Sequence, residues 1–435
     1  MKIPLEPARG TRDILPPHSE YYQQVVSRFS EIAELYGYRL AVIPTIEHFE
    51  IYEAKSGPGI SRSMYVFQDK AGRTMCLRPE FTASIVRAYL KHLIARPKPV
   101  KLYYYGQVFR YDEPQFGRYR EFYQVGVEYI GEPRIYADIE LFQLVRDFYR
   151  SIGLSNYSFR VNDISIIRGL LSKWKLSEEA QDEVLHLIDK GEIEKALNSV
   201  SSYAGSEKYI LEELLETKAL TIEDLRHVHR KLGSLTEVVA SGFSRLIELF
   251  EALLKLGFRV YVDFRLVRGL AYYTGIIFEI TVPEFNLSIG GGGRYDTLSQ
   301  LLSGIETPAT GFSLGVERTV LALEAEKALE NLSKPRPRVM LVSIIPDVAF
   351  VDRVSTKMRD SGVVVDVRFT YKQKLSDLLS QAVRLGYDFI AIVGESELKE
   401  QKVAVKYLKT GTQKTVDVDA VDRLIFESYG TASKQ

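Results

Sequence analysis

The sequence predicts an α+β protein: an antiparallel sheet flanked by helices, interrupted by an all-helical insert and followed by a smaller α/β domain. Three observations predict it. Two runs rich in Tyr, Val and Phe, 101–111 and 121–130, read as the arms of a long hairpin joined by a polar, basic loop. From 165 to 256, Leu, Ile, Glu and Lys recur at helical spacing and strand-like runs disappear. After the linker-like Lys334-Pro335-Arg336-Pro337-Arg338, strand-like and helix-like segments alternate.

Taken in order, residues 19–37 read as an amphipathic helix ending near Gly37, and a short strand at 40–43 stops at Pro44. Residues 84–94 read as a second helix, closed by the turn-like Ala95-Arg96-Pro97-Lys98-Pro99. After the hairpin and the insert, strands resume at 258–264, 276–282 and 286–289, and helix returns after Gly315. Strands joined mostly by hairpins favour an antiparallel sheet. In the last domain, strands at 339–345, 363–368 and 389–393 alternate with helices near 348–360 and 375–385, as in a partly parallel sheet. The expected divisions are 1–164, the insert 165–256, the return to the first domain 257–333, and 334–435.

Lys+Arg and Asp+Glu are equal at 57 each, so any RNA partner must be held by local patches rather than by the field of the whole molecule. The single cysteine, Cys76, excludes an internal disulfide and points to a reducing compartment. No apolar stretch approaches the ~18 residues of a membrane span, and Pro4, Glu6 and Pro7 interrupt any leader-like start. A cytoplasmic protein with no membrane partner is the expectation. The histidines show no zinc-type pairing: His227 and His229 read as surface or packing residues, no metal site is expected, and Cys76 reads as a buried small residue.

Read with a period of two, the return arm carries Tyr123, Val125, Val127 and Tyr129 on one face. The other face carries Phe122, Gln124, Gly126 and Glu128, an aromatic, an amide, a glycine and a carboxylate in line. On the outgoing arm Arg110 shares a face with Val108, Gly106 and Tyr104, and the glycines leave room for something to lie flat on the sheet. The loop between adds Arg118 and Arg120. Guanidinium forks around an aromatic suit a polyphosphate and a base.

Other segments point the same way. Arg78-Pro79-Glu80-Phe81-Thr82 puts a carboxylate and a hydroxyl at a helix start, where Glu80 suits either the helix dipole or a ligand ammonium. Arg268-Gly269-Leu270-Ala271-Tyr272-Tyr273 lies between two strands. The run Gly290–Gly293 follows a strand and lacks both the P-loop and the dinucleotide pattern; it signals close backbone approach, to a ligand or to another strand. Gly311–Arg318 runs from strand into helix, which places Arg318 near a helix N-terminus that favours an anion.

Together these segments resemble the histidyl-tRNA synthetases, a family of class II aminoacyl-tRNA synthetases, over nearly the whole chain. The resemblance begins at Arg9-Gly10-Thr11-Arg12-Asp13 with Pro16 and places Pro44 in the dimer-forming first motif. It takes Phe109-Arg110 through Gly117–Arg120 to Phe122 and Gln124 as the second motif and Gly311–Arg318 as the third. The segments 268–273 and 292–298 resemble signatures peculiar to the histidine enzymes. Many relatives have an acidic residue where this chain has Ala271, which leaves the arrangement of the imidazole pocket open. The resemblance implies a class II sheet, ATP and Mg²⁺, L-histidine and tRNA(His) as partners, and a homodimer. It implies that Arg110 and Arg268 grip the α-phosphate and carboxylate, that Arg318 holds the far phosphates with Arg118 also on ATP, and that Phe122 stacks adenine. Glu80, Thr82 and Gln124 would receive the α-ammonium, and Glu128, Tyr272 and Tyr273 would read the imidazole. The C-terminal domain would bind the anticodon, with Lys402 and Lys406 on one strand face and Lys409 and Lys414 nearby. The alternative is a non-catalytic relative, the regulatory subunit of ATP phosphoribosyltransferase in histidine biosynthesis.

Overall fold

The computed structural model describes residues 3–56, 62–267, 272–283, 288–332, 336–370 and 374–432. The chain divides into two compact units, Met1–Ser333 and Lys334–Gln435.

In the first unit, helix α1 (His18–Leu35) buries Val25, Phe29 and Ala33, spaced so that they form one inward stripe. Strand β1 is only Arg39–Leu40, shorter than 40–43, and the carbonyls of Ile43 and Pro44 accept instead from the Arg78 guanidinium. A small sheet of β2 (Ile46–His48), β3 (Val66–Gln68) and β4 (Thr74–Leu77), with α2 (Glu50–Ser56) against it, leads to α3 (Thr82–His92). The hairpin is β5 (Val100–Phe109) and β6 (Glu121–Ile130), paired in unbroken register from Val100↔Ile130 to Phe109↔Glu121. Helix α4 (Tyr136–Ile152) ends at Gly153, whose φ of 80° closes the helix in the left-handed region. Strand β7 (Ser158–Asp163) follows.

The next stretch holds α5 (Ile164–Lys173), α6 (Glu178–Asp189), α7 (Ile193–Ala204), α8 (Lys208–Glu216), α9 (Ile222–Leu232) and α10 (Glu237–Lys255). It is not wholly helical: β8 (Lys218–Ala219) joins the edge of the main sheet. Two residues carry no period to read, which hides such a strand in a sequence. These helices share the core of the sheet, since Val184, Leu211 and Leu246 belong to the same apolar cluster as Val127 and Phe278. Strands β9 (Val260–Asp263), β10 (Ile276–Thr281), β11 (Ser288–Arg294) and β12 (Ala309–Gly315), with helices α11 (Leu298–Ser303) and α12 (Val316–Ala325), complete the unit.

The main sheet runs β1-β5-β6-β12-β11-β10-β7-β9-β8, antiparallel except at β1–β5 and β7–β9. The glycine run is itself part of a strand, between β10 and β12, rather than following one. A Cβ at Gly292 would strike the carbonyl of Gly311 and the backbone of Phe312, so the close approach is to a neighbouring strand.

The second unit comprises β13 (Arg338–Ser343), α13 (Val348–Asp360), β14 (Val364–Phe369), α14 (Leu375–Arg384), β15 (Phe389–Val393), α15 (Glu395–Glu400), β16 (Lys402–Tyr407), β17 (Gln413–Asp417) and α16 (Val421–Ala432). Its order is β14-β13-β15-β16-β17, with parallel pairing at β13 and antiparallel pairing beyond β15. Val339, Leu341 and Val405 belong to one core with Val351 and Ile425 of α13 and α16; Met340, Val342 and Ile390 pack on the other face with Leu378 of α14. Among the described residues no helix is long and apolar enough to cross a membrane.

Candidate active site

Residues paired across strands share a face of the sheet, and the register extends the polar face of β6 into rows. Gly106, Gln124 and Gly315 form one row, and Tyr104, Gly126, Ser313, Gly291 and Glu279 the next. Leu102, Glu128, Gly311 and Gly293 form the third. The room expected over Gly106 and Gly126 is taken by the protein itself. The Tyr104 ring lies over Gly126, and Arg78 and Phe81 lie over Gly106. The open glycine is Gly315: a Cβ there would meet only the Arg318 side chain, at 3.8 Å, and its φ of −78° suits any residue. Among the described residues, neither sterics nor backbone geometry calls for a glycine at that point.

At one end of this face the arginines gather. The Arg110 guanidinium stands 5.3 Å from the Phe122 ring centre, and its Nε donates to the Pro79 carbonyl at 3.0 Å. Arg318, in the first turn of α12, donates from Nε to the Gly117 carbonyl at 2.8 Å and from Nη1 to the Ser288 carbonyl at 2.5 Å. Burial first, and then the charges of Arg110 and Arg118, push its pKa down. Three cations thus share one field, which stores repulsion that an anion would relieve. Arg118 is the outermost, about half exposed and paired with Asp112 at 2.9 Å. Arg120 does not join them. It is buried, donates from Nε to the Asp112 carbonyl at 3.0 Å and lies 4.1 Å over the Tyr111 ring, so it braces the loop.

At the other end lies a buried carboxylate held by hydroxyls. Glu128 is wholly buried, and its Oε1 accepts from Thr82 Oγ1 at 2.8 Å and Tyr104 Oη at 3.3 Å, while Oε2 accepts from Tyr295 Oη. Burial pushes its pKa up to about 8, against the lowering by the Tyr295 and Thr82 hydrogen bonds. Gly311 is opposite Glu128, and a Cβ there would strike the carboxylate. Tyr272 and Tyr273 are buried beside it, with ring centres 4.6 Å apart, and Tyr272 lies edge-on to Tyr295 at 5.7 Å. Glu80 accepts from the backbone N–H groups of Thr82 at 2.6 Å and Ala83 at 3.0 Å, and so satisfies two free donors in the first turn of α3. Between the two ends, Gln124 is buried and its Oε1 finds no hydrogen-bond partner among the described residues. A buried acceptor without a donor is costly unless a ligand supplies one.

Arg268 and Ala271 lie outside the described residues. Tyr104 and Tyr295 are site residues that the motif reading passed over; a tyrosine opposite a glycine on the paired strand was the available signal for Tyr104. Glu317 was also passed over. It is buried and raised to about 7 by desolvation, although both its oxygens accept from the Tyr123 N–H at 3.1 Å. Cys76 is fully buried, with its thiol pushed up to about 12 by burial, and is no nucleophile. His229 stacks on Phe243, as a packing residue does. In the second unit, Lys402 and Lys406 share the β16 face that points away from Val403 and Val405. Lys414 pairs with Val405 and so belongs to the opposite face, while Asp417 pairs with Lys402 and Glu400 bridges it at 3.0 Å. The lysine patch is therefore less basic than its composition suggests.

These features have counterparts in known proteins. A family model described as histidyl-tRNA synthetase matches residues 10–319, and one described as an anticodon binding domain matches 339–427. The histidine–tRNA ligase of Sulfurisphaera tokodaii is 39% identical over 95% of this chain and 97% of its own length. That of Sulfolobus acidocaldarius is 37% identical over 97% of this chain and 99% of its own. Among solved structures, the apo histidyl-tRNA synthetase of S. aureus aligns with a TM-score of 0.68 at 29% identity, covering 98% of this chain and 99% of that one. The Nostoc enzyme shares the fold at a TM-score of 0.79 and 22% identity, over 98% of this chain and 100% of that one. A sheet face with cationic and carboxylate ends, joined to an anticodon-binding unit and matched along its length, means that the chain belongs to the histidyl-tRNA synthetase family.

Proposed function

We propose that this chain joins histidine to tRNA(His) at the expense of ATP. A carboxylate oxygen of histidine attacks the α-phosphorus, diphosphate leaves and histidyl-adenylate forms; a hydroxyl at the 3′ end of the tRNA then takes the histidyl group and AMP leaves. The observation that carries this reading is β6 itself. Over about 20 Å of strand, one face passes from Phe122 among the arginines, through Gln124, whose Oε1 has no partner among the described residues, to the buried Glu128.

Each role follows from what the residue offers. Both reactants of the first step are anions, so fixed positive charge and positioning lower the barrier more than proton transfer does. Arg110 and Arg268 grip the α-phosphate and carboxylate oxygens, and Arg318 holds the far phosphates with Arg118 at the rim. Adenine stacks on Phe122, across the open surface of Gly315. Gln124 Oε1, with Thr82 and Glu80, receives the α-ammonium, and Glu128, Tyr272 and Tyr273 read the imidazole. Polar groups buried for one ligand are left unpaired by others, which gives discrimination of ~10⁴ without editing. Mg²⁺ enters with the nucleotide. The phosphates would carry it, with Glu279 on the same sheet face to share it.

The second unit binds the anticodon, and the chain works as a cytoplasmic homodimer. Exposed Leu40, Val42 and Ile46 around the short edge strand β1 support the dimer face. Against a silent regulatory subunit stand the clustered Arg110, Arg118 and Arg318, which a histidine sensor does not need. Histidine-dependent exchange of pyrophosphate into ATP tests the reading. A folded, histidine-binding protein without exchange would overturn it. Arg268→Ala should cut activation by several orders of magnitude with the fold intact; a loss under about tenfold would make that arginine structural.

A further inference from the structure

The loop between β5 and β6 is gripped by a segment that the catalytic reading leaves without a task. Residues 8–12 form a turn closed by Thr11, whose N–H and hydroxyl both donate to the Ala8 carbonyl at 2.9 and 2.7 Å. The Gly10 carbonyl accepts from the Arg120 N–H at 2.8 Å. Gly10 has a φ of 84°, and a Cβ there would lie 2.7 Å from the Arg120 side chain and 3.0 Å from Pro114. Only a glycine lets the segment lie this close to the loop. Two residues on, the Arg12 guanidinium lies 3.6 Å from the Tyr119 ring centre and donates to Tyr22 Oη of α1 at 2.6 Å. It also stands 3.6 Å from Glu317 Oε1.

Glu317 adjoins Arg318. Its carboxylate is buried, accepts twice from the Tyr123 N–H, and has Arg12 and Arg318 as its nearby cations. A buried carboxylate without a counter-ion draws the nearest cation or takes up a proton. We propose that residues 8–12 are a positioning strap for the ATP site, in which Arg12 anchors the loop through Tyr119 and, as counter-ion to Glu317, leaves Arg318 to the nucleotide phosphates. The loop is then fixed on both sides of Arg118, at Tyr119–Arg120 by the strap and at Gly117 by the Arg318 Nε–H. The inference deepens the reading of Arg318 as a phosphate ligand and rests on it.

Pyrophosphate exchange, with ATP and histidine varied separately, tests the strap. Arg12→Ala should raise the KM for ATP about tenfold, the size expected of one cation–π contact with a lost counter-ion. The KM for histidine should stay within about twofold, because the histidine pocket lies at the other end of the face. Arg12→Lys, which keeps the charge, should recover most of the loss. Tyr119→Phe should be silent and Tyr119→Leu should raise the KM for ATP; combined with Arg12→Ala it should add less than the product of the two single effects. Should Arg12→Ala fail to fold, Tyr119→Leu, on the loop, carries the test. An unchanged KM for ATP, an equal rise for both substrates, or fully multiplicative effects would overturn the proposal. Arg318→Ala run in parallel separates the two claims. If it leaves the KM for ATP unchanged, the phosphate site itself is misassigned; if it raises it while Arg12→Ala does not, the strap alone is wrong.

Discussion

The two ends of the β6 face solve opposite problems with opposite means. At the cationic end, Arg110 and Arg318 are held by backbone carbonyls of Pro79, Gly117 and Ser288, neutral acceptors that orient a guanidinium without cancelling its charge. At the other end Glu128 is held by the hydroxyls of Thr82, Tyr104 and Tyr295, neutral partners that orient its carboxyl without a counter-ion. The comparison teaches that this site keeps its ionisable groups on offer to ligands by orienting them with dipoles. A salt bridge in either place would spend the charge within the protein. The buried pair of Arg294 and Asp138, at 2.6 Å, shows what that alternative looks like where only structure is at stake.

The largest effect should come from breaking the cationic end. Arg318→Ala removes a cation whose raised energy an anion would relieve, and kcat/KM for exchange should fall by about 10² to 10³. A comparable fall with Arg110→Ala is expected, and Arg→Lys at either position should rescue poorly, because an ammonium cannot both hold a carbonyl and present a fork. Full rescue by lysine would mean that charge alone matters there and that the orienting carbonyls are incidental.

Breaking the carboxylate end should cost less in rate and more in discrimination. Glu128→Gln keeps the shape, and kcat/KM for histidine should fall by about 10 to 10². It also carries a pH signature. The folded pKa of Glu128 is raised to about 8 from the ordinary glutamate value of 4.5, so between those values the native state holds a proton that the unfolded chain has lost. Stability therefore falls as pH rises through that window, and Glu317, raised to about 7, acts in the same direction. Denaturant midpoints taken at low and high pH within the window should drop more in the parent than in Glu128→Gln. Equal drops would show that Glu128 is already ionised in the native protein. Gln124→Leu, which removes the orphaned acceptor between the ends, should raise the KM for histidine about tenfold and stabilise the unliganded protein; a loss of stability would mean that the amide has a partner of its own.

How much of this was legible follows from what a period can carry. The faces of β6 were readable because alternation is backbone geometry, and Phe122, Gln124 and Glu128 do share a face, half-buried at Phe122 and buried at the other two. The helix α1 and the strand-to-helix passage into α12 were readable for the same reason. The loop was not. Arg118 and Arg120 differ by two residues and look alike in sequence, yet one reaches solvent and the other braces Tyr111, because a loop has no period to separate them. Tyr295 reaches Glu128 across 167 residues of chain, a pairing that only register reveals. The glycines misled in an instructive way. Gly126 makes room for Tyr104 and Gly292 for a neighbouring strand, while nothing among the described residues requires Gly315, in the row of Gln124, to be small.

The smallest effect should fall on Arg118, and it tests whether the contrast between the ends survives catalysis. Arg118 pairs with a carboxylate, that of Asp112, and it does so half in solvent. Exposed pairs of this kind contribute about 0 to 1 kcal/mol, so Arg118→Ala should change the KM for ATP by no more than about fivefold. That change should shrink further with added salt, since a rim charge acts through screened, long-range attraction. Asp112→Asn should lower the KM for ATP slightly by returning the guanidinium to the phosphates. A loss with Arg118→Ala as large as that of Arg318→Ala, and insensitive to salt, would mean that the loop lets go of Asp112 when ATP arrives and that Arg118 becomes a buried ligand. In that event the cationic end is assembled by the nucleotide rather than waiting for it, and the two ends of the face differ in timing as well as in charge.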